Sequence, residues 1–141
     1  MDIFVLNDLK NLFMRTAILI GATGLVGSHL LDLLVKDERF GKVKVFTRKP
    51  TGKKSDKMEE HVIDFDKMND WAPLLKGDIL FSSLGTTIKK AGSQEAQYKI
   101  DFTYQYETAV HSARNGVSTC VLVSSAGASP SSKVFYSRMK G

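Results

Sequence analysis

The stretch Ala17-Ile18-Leu19-Ile20-Gly21-Ala22-Thr23-Gly24-Leu25-Val26-Gly27 constrains this chain more than any other. A short apolar run stops at glycines spaced G-x-x-G-x-x-G, and an amphipathic segment, Ser28 to Lys36, follows at once. A buried strand that turns on glycine and opens a helix is a ready site for a dinucleotide pyrophosphate. The helix N-terminus offers unpaired N–H groups and a partial positive charge. Gly21 is read as the tight turn, Gly24 as the point where phosphate oxygens approach the backbone, and Gly27 as the close contact of helix with strand.

The 141 residues suffice for one domain with a core. Twenty Lys and Arg against 15 Asp and Glu leave a net charge of +5. The basic residues are scattered, which fits a phosphate-bearing cofactor and solvated lysines better than nucleic acid. With the single cysteine, Cys120, no internal disulfide can form, and a reducing, cytoplasmic setting is expected. Cys120 sits in the apolar run Val117 to Val123 and is expected to be buried and inert. His29, His61 and His111 lack metal-ligand spacing, so no metal is expected. Residues 16–35 carry few charges, but three glycines with Ser28, His29 and Asp32 argue against a membrane span. The N-terminus shows no basic region followed by a small-residue cleavage site, so no signal peptide is expected.

Residues 1–15 stand apart as an extension, helical or disordered; Leu6, Leu9, Leu12 and Phe13 fall near helical spacing. From 16 to 141 strand and helix alternate. Strands are expected at Thr16 to Ile20, Lys42 to Thr47, His61 to Phe65, Asp78 to Ser83 and Val117 to Ser124. Helices are expected at Leu25 to Val35, with Val26, Leu30, Leu33 and Leu34 on one face, and at Gln94 to Asn115. Asp66 to Leu75 reads as a short helix or turn. Lys49 to Glu60 reads as a lysine-rich loop and Thr86 to Ser93 as a basic loop. A further helix starts in Ser132 to Gly141. Strands separated by helices imply an α/β, doubly wound parallel sheet of the Rossmann type, in order 3-2-1-4-5.

The residue closing the second strand usually decides between nicotinamide coenzymes. A carboxylate there accepts the ribose hydroxyls of NAD. Here the strand closes Phe46-Thr47-Arg48-Lys49, without an acid. Two cations attract a 2′-phosphate, Arg48 through its planar fork, so NADP(H) is preferred and NAD(H) remains possible. Asp64 either accepts from the adenine amino group or caps the next turn. Ser83-Leu84-Gly85-Thr86-Thr87 lets a cofactor pass close to the backbone, or is an ordinary glycine turn. Near the C-terminus, Ser124 and Ser125 end the fifth strand, and Tyr136 and Lys140 follow. Tyrosine and lysine four apart share a helix face, and an ammonium beside a phenol favours its phenolate form. Such a pair arises easily by chance; its place after a serine-tipped strand gives it weight.

The chain resembles the short-chain dehydrogenase/reductase superfamily in its extended or atypical division. The resemblance rests on Gly21-Ala-Thr-Gly-Leu-Val-Gly27, Ser83-Leu-Gly-Thr-Thr87, Lys90-Ala-Gly92, Ile100-Asp-Phe-Thr-Tyr104 and Leu122-Val-Ser-Ser125. It is similar to the branch that contains the Tat-interacting protein oxidoreductase, whose bacterial relatives are called nucleoside-diphosphate-sugar epimerase-like. The resemblance implies hydride transfer to or from an unknown small carbonyl or alcohol. It implies Tyr136 as acid/base, Lys140 on the nicotinamide ribose, and Ser125, or Ser124, positioning the substrate oxygen. Gly21, Thr23, Gly24, Leu25, Val26 and Gly27 would hold the pyrophosphate. Arg48 and Lys49 would hold the 2′-phosphate, Asp64 the adenine, and Leu84, Gly85 and Thr86 the ribose region. Members of the superfamily continue well past the Tyr-x-x-x-Lys pair, whereas this chain stops one residue after Lys140. The expectation is therefore a cofactor-binding domain without its usual substrate-binding part, turning over poorly and exposing strand five as an edge that favours self-association. A non-catalytic NADP(H)-binding interaction module is the alternative.

Overall fold

The computed structural model describes Leu9 and residues 12–141. Most of the expected extension, residues 1–15, lies outside the described residues, although Leu12 and Phe13 are helical and largely exposed. Five parallel strands form one sheet in the order β3-β2-β1-β4-β5. They are β1 (Arg15–Ile20), β2 (Phe40–Thr47), β3 (Met58–Val62), β4 (Ile79–Ser82) and β5 (Thr119–Leu122). Helix α1 (Leu25–Lys36) joins β1 to β2, and the short α2 (Met68–Trp71), flanked by 3-10 turns, joins β3 to β4. Between β4 and β5 lie α3 (Ile88–Ala91), α4 (Gln94–Tyr98), a π-helical turn (Lys99–Thr103) and α5 (Tyr104–Arg114). Helix α6 (Phe135–Lys140) closes the chain.

The central strand is apolar on both faces, as a sheet covered on both sides requires. Ile18 and Ile20 point into a cluster with Phe46, Phe65, Trp71 and Leu80, under α2 and α5. Ala17 and Leu19 point the other way, into a cluster with Leu31, Leu34, Phe40, Val43 and Val45 under α1. The order 3-2-1-4-5 expected from right-handed crossovers is the one observed.

Several local expectations are corrected. Strand β3 lies three residues earlier than expected, because Val43 to Thr47 pair in register with Met58 to Val62. Asp64 then starts a 3-10 turn that ends the strand and turns Phe65 into the core. On α1 the buried residues are Gly27, Leu31 and Leu34; Val26 and Leu33 face solvent. The contact of Gly27 with the β1 turn fixes the rotation of this helix. The basic loop after β4 contains α3, capped by the Thr87 hydroxyl, which accepts from the Lys90 N–H. Cys120 is exposed, because β5 is the sheet edge and Val121, Leu122 and Val123 beside it are exposed too.

Candidate functional site

A cleft of about 290 Å³ opens at the carboxyl end of the sheet, where β1 and β4 part. Crevices of this kind, at the strand ends of open α/β sheets, are where ligands bind. One wall is the turn of Gly21, Thr23 and Gly24; the opposite wall is Ser83, Leu84, Gly85 and Thr86 after β4. Arg48, at the end of β2, closes one side.

The three glycines do different work. A Cβ on Gly21 would lie 2.4 Å from the Ser83 carbonyl carbon, and its φ of +85° suits glycine alone. A Cβ on Gly27 would lie 1.9 Å from the Gly21 carbonyl oxygen. Both are required by the protein's own backbone. Gly24 is different. Its φ of −77° is ordinary, and a Cβ there would meet nothing nearer than the Gly21 oxygen at 3.5 Å. Gly24 also serves as the N-cap of α1, with no side chain capping the helix and no acid in its first turn. An uncapped helix start, facing a cleft that a Cβ would narrow, fits a diphosphate.

Of the expected cofactor residues, Gly21, Thr23, Gly24, Arg48, Leu84, Gly85 and Thr86 line the cleft together. Others do not. Leu25 and Val26 are exposed on the first turn of α1, Gly27 is buried behind the wall, and Lys49 lies off the lining. Asp64 resolves as a turn cap: its Oδ1 accepts from the Asp66 N–H at 2.9 Å, and it too is off the lining. Lys90, Ile100 and Tyr104 line the cleft and had no part in the sequence reading of the site. Tyr104 stacks on Phe65 at 5.1 Å and donates to Asp66 Oδ1 at 2.6 Å; burial, then Asp66, raises its phenol above the ordinary value.

The residues expected to be catalytic form a second, adjoining group. The Ser124 hydroxyl donates to the Lys140 carbonyl at 3.3 Å. The Ser125 Oγ is buried without a partner. The Lys140 Nζ lies 5.9 Å from the centre of the half-exposed Tyr136 ring. Neither Tyr136 nor Lys140 lines the cleft. The link between the groups is Asp101. Its Oδ1 accepts from the Thr86 N–H at 2.7 Å, and its Oδ2 lies 3.7 Å from the Lys140 Nζ. The Asp101 side chain is 1% exposed and that of Lys140 7%. Burial pushes the Asp101 carboxyl above the ordinary value, and Lys140 opposes that shift. Sequence reading passed over Asp101 as one residue of a family motif. The π-helical turn carries the extra residue that turns this acid inward, and no periodicity announces it.

The match to the semialdehyde dehydrogenase NAD-binding domain model covers residues 16–100, more than half of the chain. The chain belongs to this family. Its coenzyme is accordingly a nicotinamide dinucleotide, and it is an oxidoreductase-type nucleotide-binding domain. The chain is 42% identical over 130 residues to "Protein FMP52, mitochondrial" of Candida glabrata, covering 90% of this chain and 54% of the relative. The chain thus spans about half the length of the curated relatives it matches. Among solved structures, a UDP-galactose 4-epimerase superposes with a TM-score of 0.70 at 21% identity, over 89% of this chain and 48% of that one. A short-chain dehydrogenase/reductase superfamily protein from Agrobacterium tumefaciens with bound NAD superposes with a TM-score of 0.69 at 16% identity, over 89% and 42%. These likenesses establish the fold.

The cytoplasmic location expected from the lone cysteine is overturned, since the curated relatives are named mitochondrial proteins. The absence of an internal disulfide bears on redox state and does not separate one reducing compartment from another. Among the described residues no helix is long and apolar enough to cross a membrane, and no three His, Cys, Asp or Glu gather as metal ligands.

Proposed function

We propose that this chain is an NADP(H)-binding oxidoreductase domain acting on a small carbonyl or alcohol. The observation that carries the reading is the uncapped start of α1 at Gly24, in a cleft closed by Arg48 with no acid ending β2. The first-turn N–H groups of α1 hold the diphosphate, and Arg48, with Lys49 beside it, holds the 2′-phosphate. Leu84, Gly85 and Thr86 receive the ribose along the opposite wall. When bound, the nicotinamide ring supplies or accepts the hydride. The Ser125 Oγ, buried and unpartnered, orients the substrate oxygen, and Tyr136 gives or takes the proton at its phenol oxygen. Lys140 stands over the Tyr136 ring and is held from behind by Asp101.

A melting curve with NADPH, with NADH and with neither tests the coenzyme. A ligand that binds only the folded chain adds about 2.7 kcal/mol at a hundredfold excess over its dissociation constant. NADPH is expected to raise the melting temperature more than NADH does. No shift with either overturns the binding reading, and a larger shift with NADH reverses the preference. For the chemistry, Tyr136→Phe is expected to abolish NADPH-dependent carbonyl reduction while leaving NADPH affinity unchanged; undiminished turnover removes Tyr136 from the role.

One observation favours a second reading. The Lys140 ammonium is engaged by a buried carboxylate, and neither it nor Tyr136 lines the cleft. A domain whose coenzyme occupancy governs contacts with another protein needs no such access. Tight NADPH binding without turnover by the unmodified chain supports that alternative.

A further inference from the structure

The segment between β2 and β3 has the composition of a solvated loop, with four lysines between residues 49 and 57. It is not free. Lys57 Nζ donates to the Asp37 carbonyl at the C-terminal end of α1, at 3.0 Å. Both the backbone N–H and the hydroxyl of Thr51 donate to Glu60 Oε1, at 2.9 and 2.6 Å. Gly52 turns the chain at a φ of +74°. Lys53 then reaches across to α1. Its Nζ donates to the Ser28 carbonyl at 2.9 Å, to Ser28 Oγ at 2.8 Å and to Asp32 Oδ1 at 2.8 Å.

An ammonium has three N–H donors. Lys53 has three acceptors, all protein atoms, so it has no donor left for a ligand. Ser28 lies four residues after Gly24, about one helical turn from the start of the diphosphate turn. The clamp therefore ties the segment that follows Arg48 and Lys49 to the helix that carries the glycine turn.

We propose that Lys53 is a positioning residue that sets the coenzyme preference. By fastening the β2–β3 connection to α1, it holds Arg48 and Lys49 in place for the 2′-phosphate before the coenzyme arrives. This inference rests on the NADP(H) reading of the cleft. The ordering of the loop is completed on folding, so binding does not have to supply it. Lys53 also neutralises Asp32, whose carboxyl its hydrogen bond holds below the ordinary value. A charge effect of Lys53 on the phosphate is thus a rival explanation, and the two make opposite predictions for Asp32. Removing that carboxylate takes away negative charge, which by charge alone strengthens NADPH binding. It also takes away one leg of the clamp, which by positioning weakens it.

The experiment compares dissociation constants for NADPH and NADH in the unmodified chain, Lys53→Met and Asp32→Ala. Tryptic cleavage after Lys54 is followed in the same three proteins without coenzyme. In Lys53→Met the preference for NADPH over NADH is expected to fall about tenfold, with NADH affinity unchanged, as follows when ordering of the loop is added to the cost of binding. Asp32→Ala is expected to move the preference in the same direction by less, and both variants are expected to be cut faster in the loop. A Lys53→Met protein that keeps the parent's NADPH preference overturns the role of Lys53 alone. An Asp32→Ala protein that binds NADPH more tightly overturns it in favour of charge. An unmodified chain that binds both coenzymes equally overturns the coenzyme reading itself, and the inference with it. A general loss of folding would weaken both coenzymes together, so the ratio separates positioning from mere stability.

Discussion

Gly27→Ala is expected to destroy the cooperative unfolding transition, or to lower stability by about 3 kcal/mol or more, the upper range for overpacking a closed interior. The added methyl would stand 1.9 Å from the Gly21 oxygen and 2.6 Å from Ser83 Oγ. Backbone lies on one side and the helix on the other, so relief requires α1 to lift off β1 and open the core of Leu31 and Leu34. Gly24→Ala is the counterpart. Its Cβ would sit at ordinary contact distance with an ordinary φ, so stability is expected to change by no more than about 1 kcal/mol, the cost of alanine at an N-cap. Its coenzyme affinity is nonetheless expected to fall about tenfold or more, since the methyl enters the path of the phosphate. Urea unfolding paired with NADPH titration reads both variants. A Gly27→Ala protein as stable as the parent refutes the packing argument. A Gly24→Ala protein with undiminished affinity refutes the cradle.

Asp101→Ala carries the second large effect. It removes the acceptor of the Thr86 N–H and leaves the Lys140 ammonium without its carboxylate at 7% side-chain exposure. Breaking a buried pair by deleting one partner costs about 3 kcal/mol, the lower end of the range being appropriate for a separation of 3.7 Å. The double variant Asp101→Leu/Lys140→Met is expected to recover most of that loss, because the cost lies in the orphaned charge. A double variant no more stable than Asp101→Ala would place the cost in the Thr86 N–H left without its acceptor instead of in the orphaned charge.

The same group has a signature in pH. Burial raises the Asp101 carboxyl above its unfolded value, so the folded chain holds that proton more tightly. Its contribution to stability is present below the ordinary carboxylate range and fades as pH rises through the raised native value. Relative to Asp101→Asn, the unmodified chain is therefore expected to lose stability as pH rises from the ordinary carboxylate range through the raised native value. Asp37 behaves oppositely. Arg39 holds it at about 2, so its contribution is present above the ordinary carboxylate range and is lost as pH falls toward that value. Asp37 is common to both proteins, so the comparison cancels it. Parallel pH curves would remove burial as the dominant influence on Asp101.

The legible parts of this protein are those with local causes. The turn from β1 into α1 is written in Gly21, Gly24 and Gly27, and the sheet order follows from alternation and handedness. Arg48 falls on the cleft because the carboxyl ends of β1 and β2 lie side by side, Ile20 opposite Phe46. Boundaries were less legible. The register of β3 depends on its pairing with β2, which no window of residues 58–65 contains. The exposure of Cys120 depends on which strand has a neighbour, and an apolar run reads alike at an edge and in the middle of a sheet.

The sequence by itself determined the sheet, its order and the place of the glycine turn, because φ freedom, hydrophobic period and crossover hand act over a few residues at a time. Tertiary structure alone decided that Asp101 faces Thr86 and Lys140 and that Lys53 clamps a loop to α1. Those outcomes depend on where charged side chains find partners, and a charge in a sequence carries no record of the group it meets across the fold.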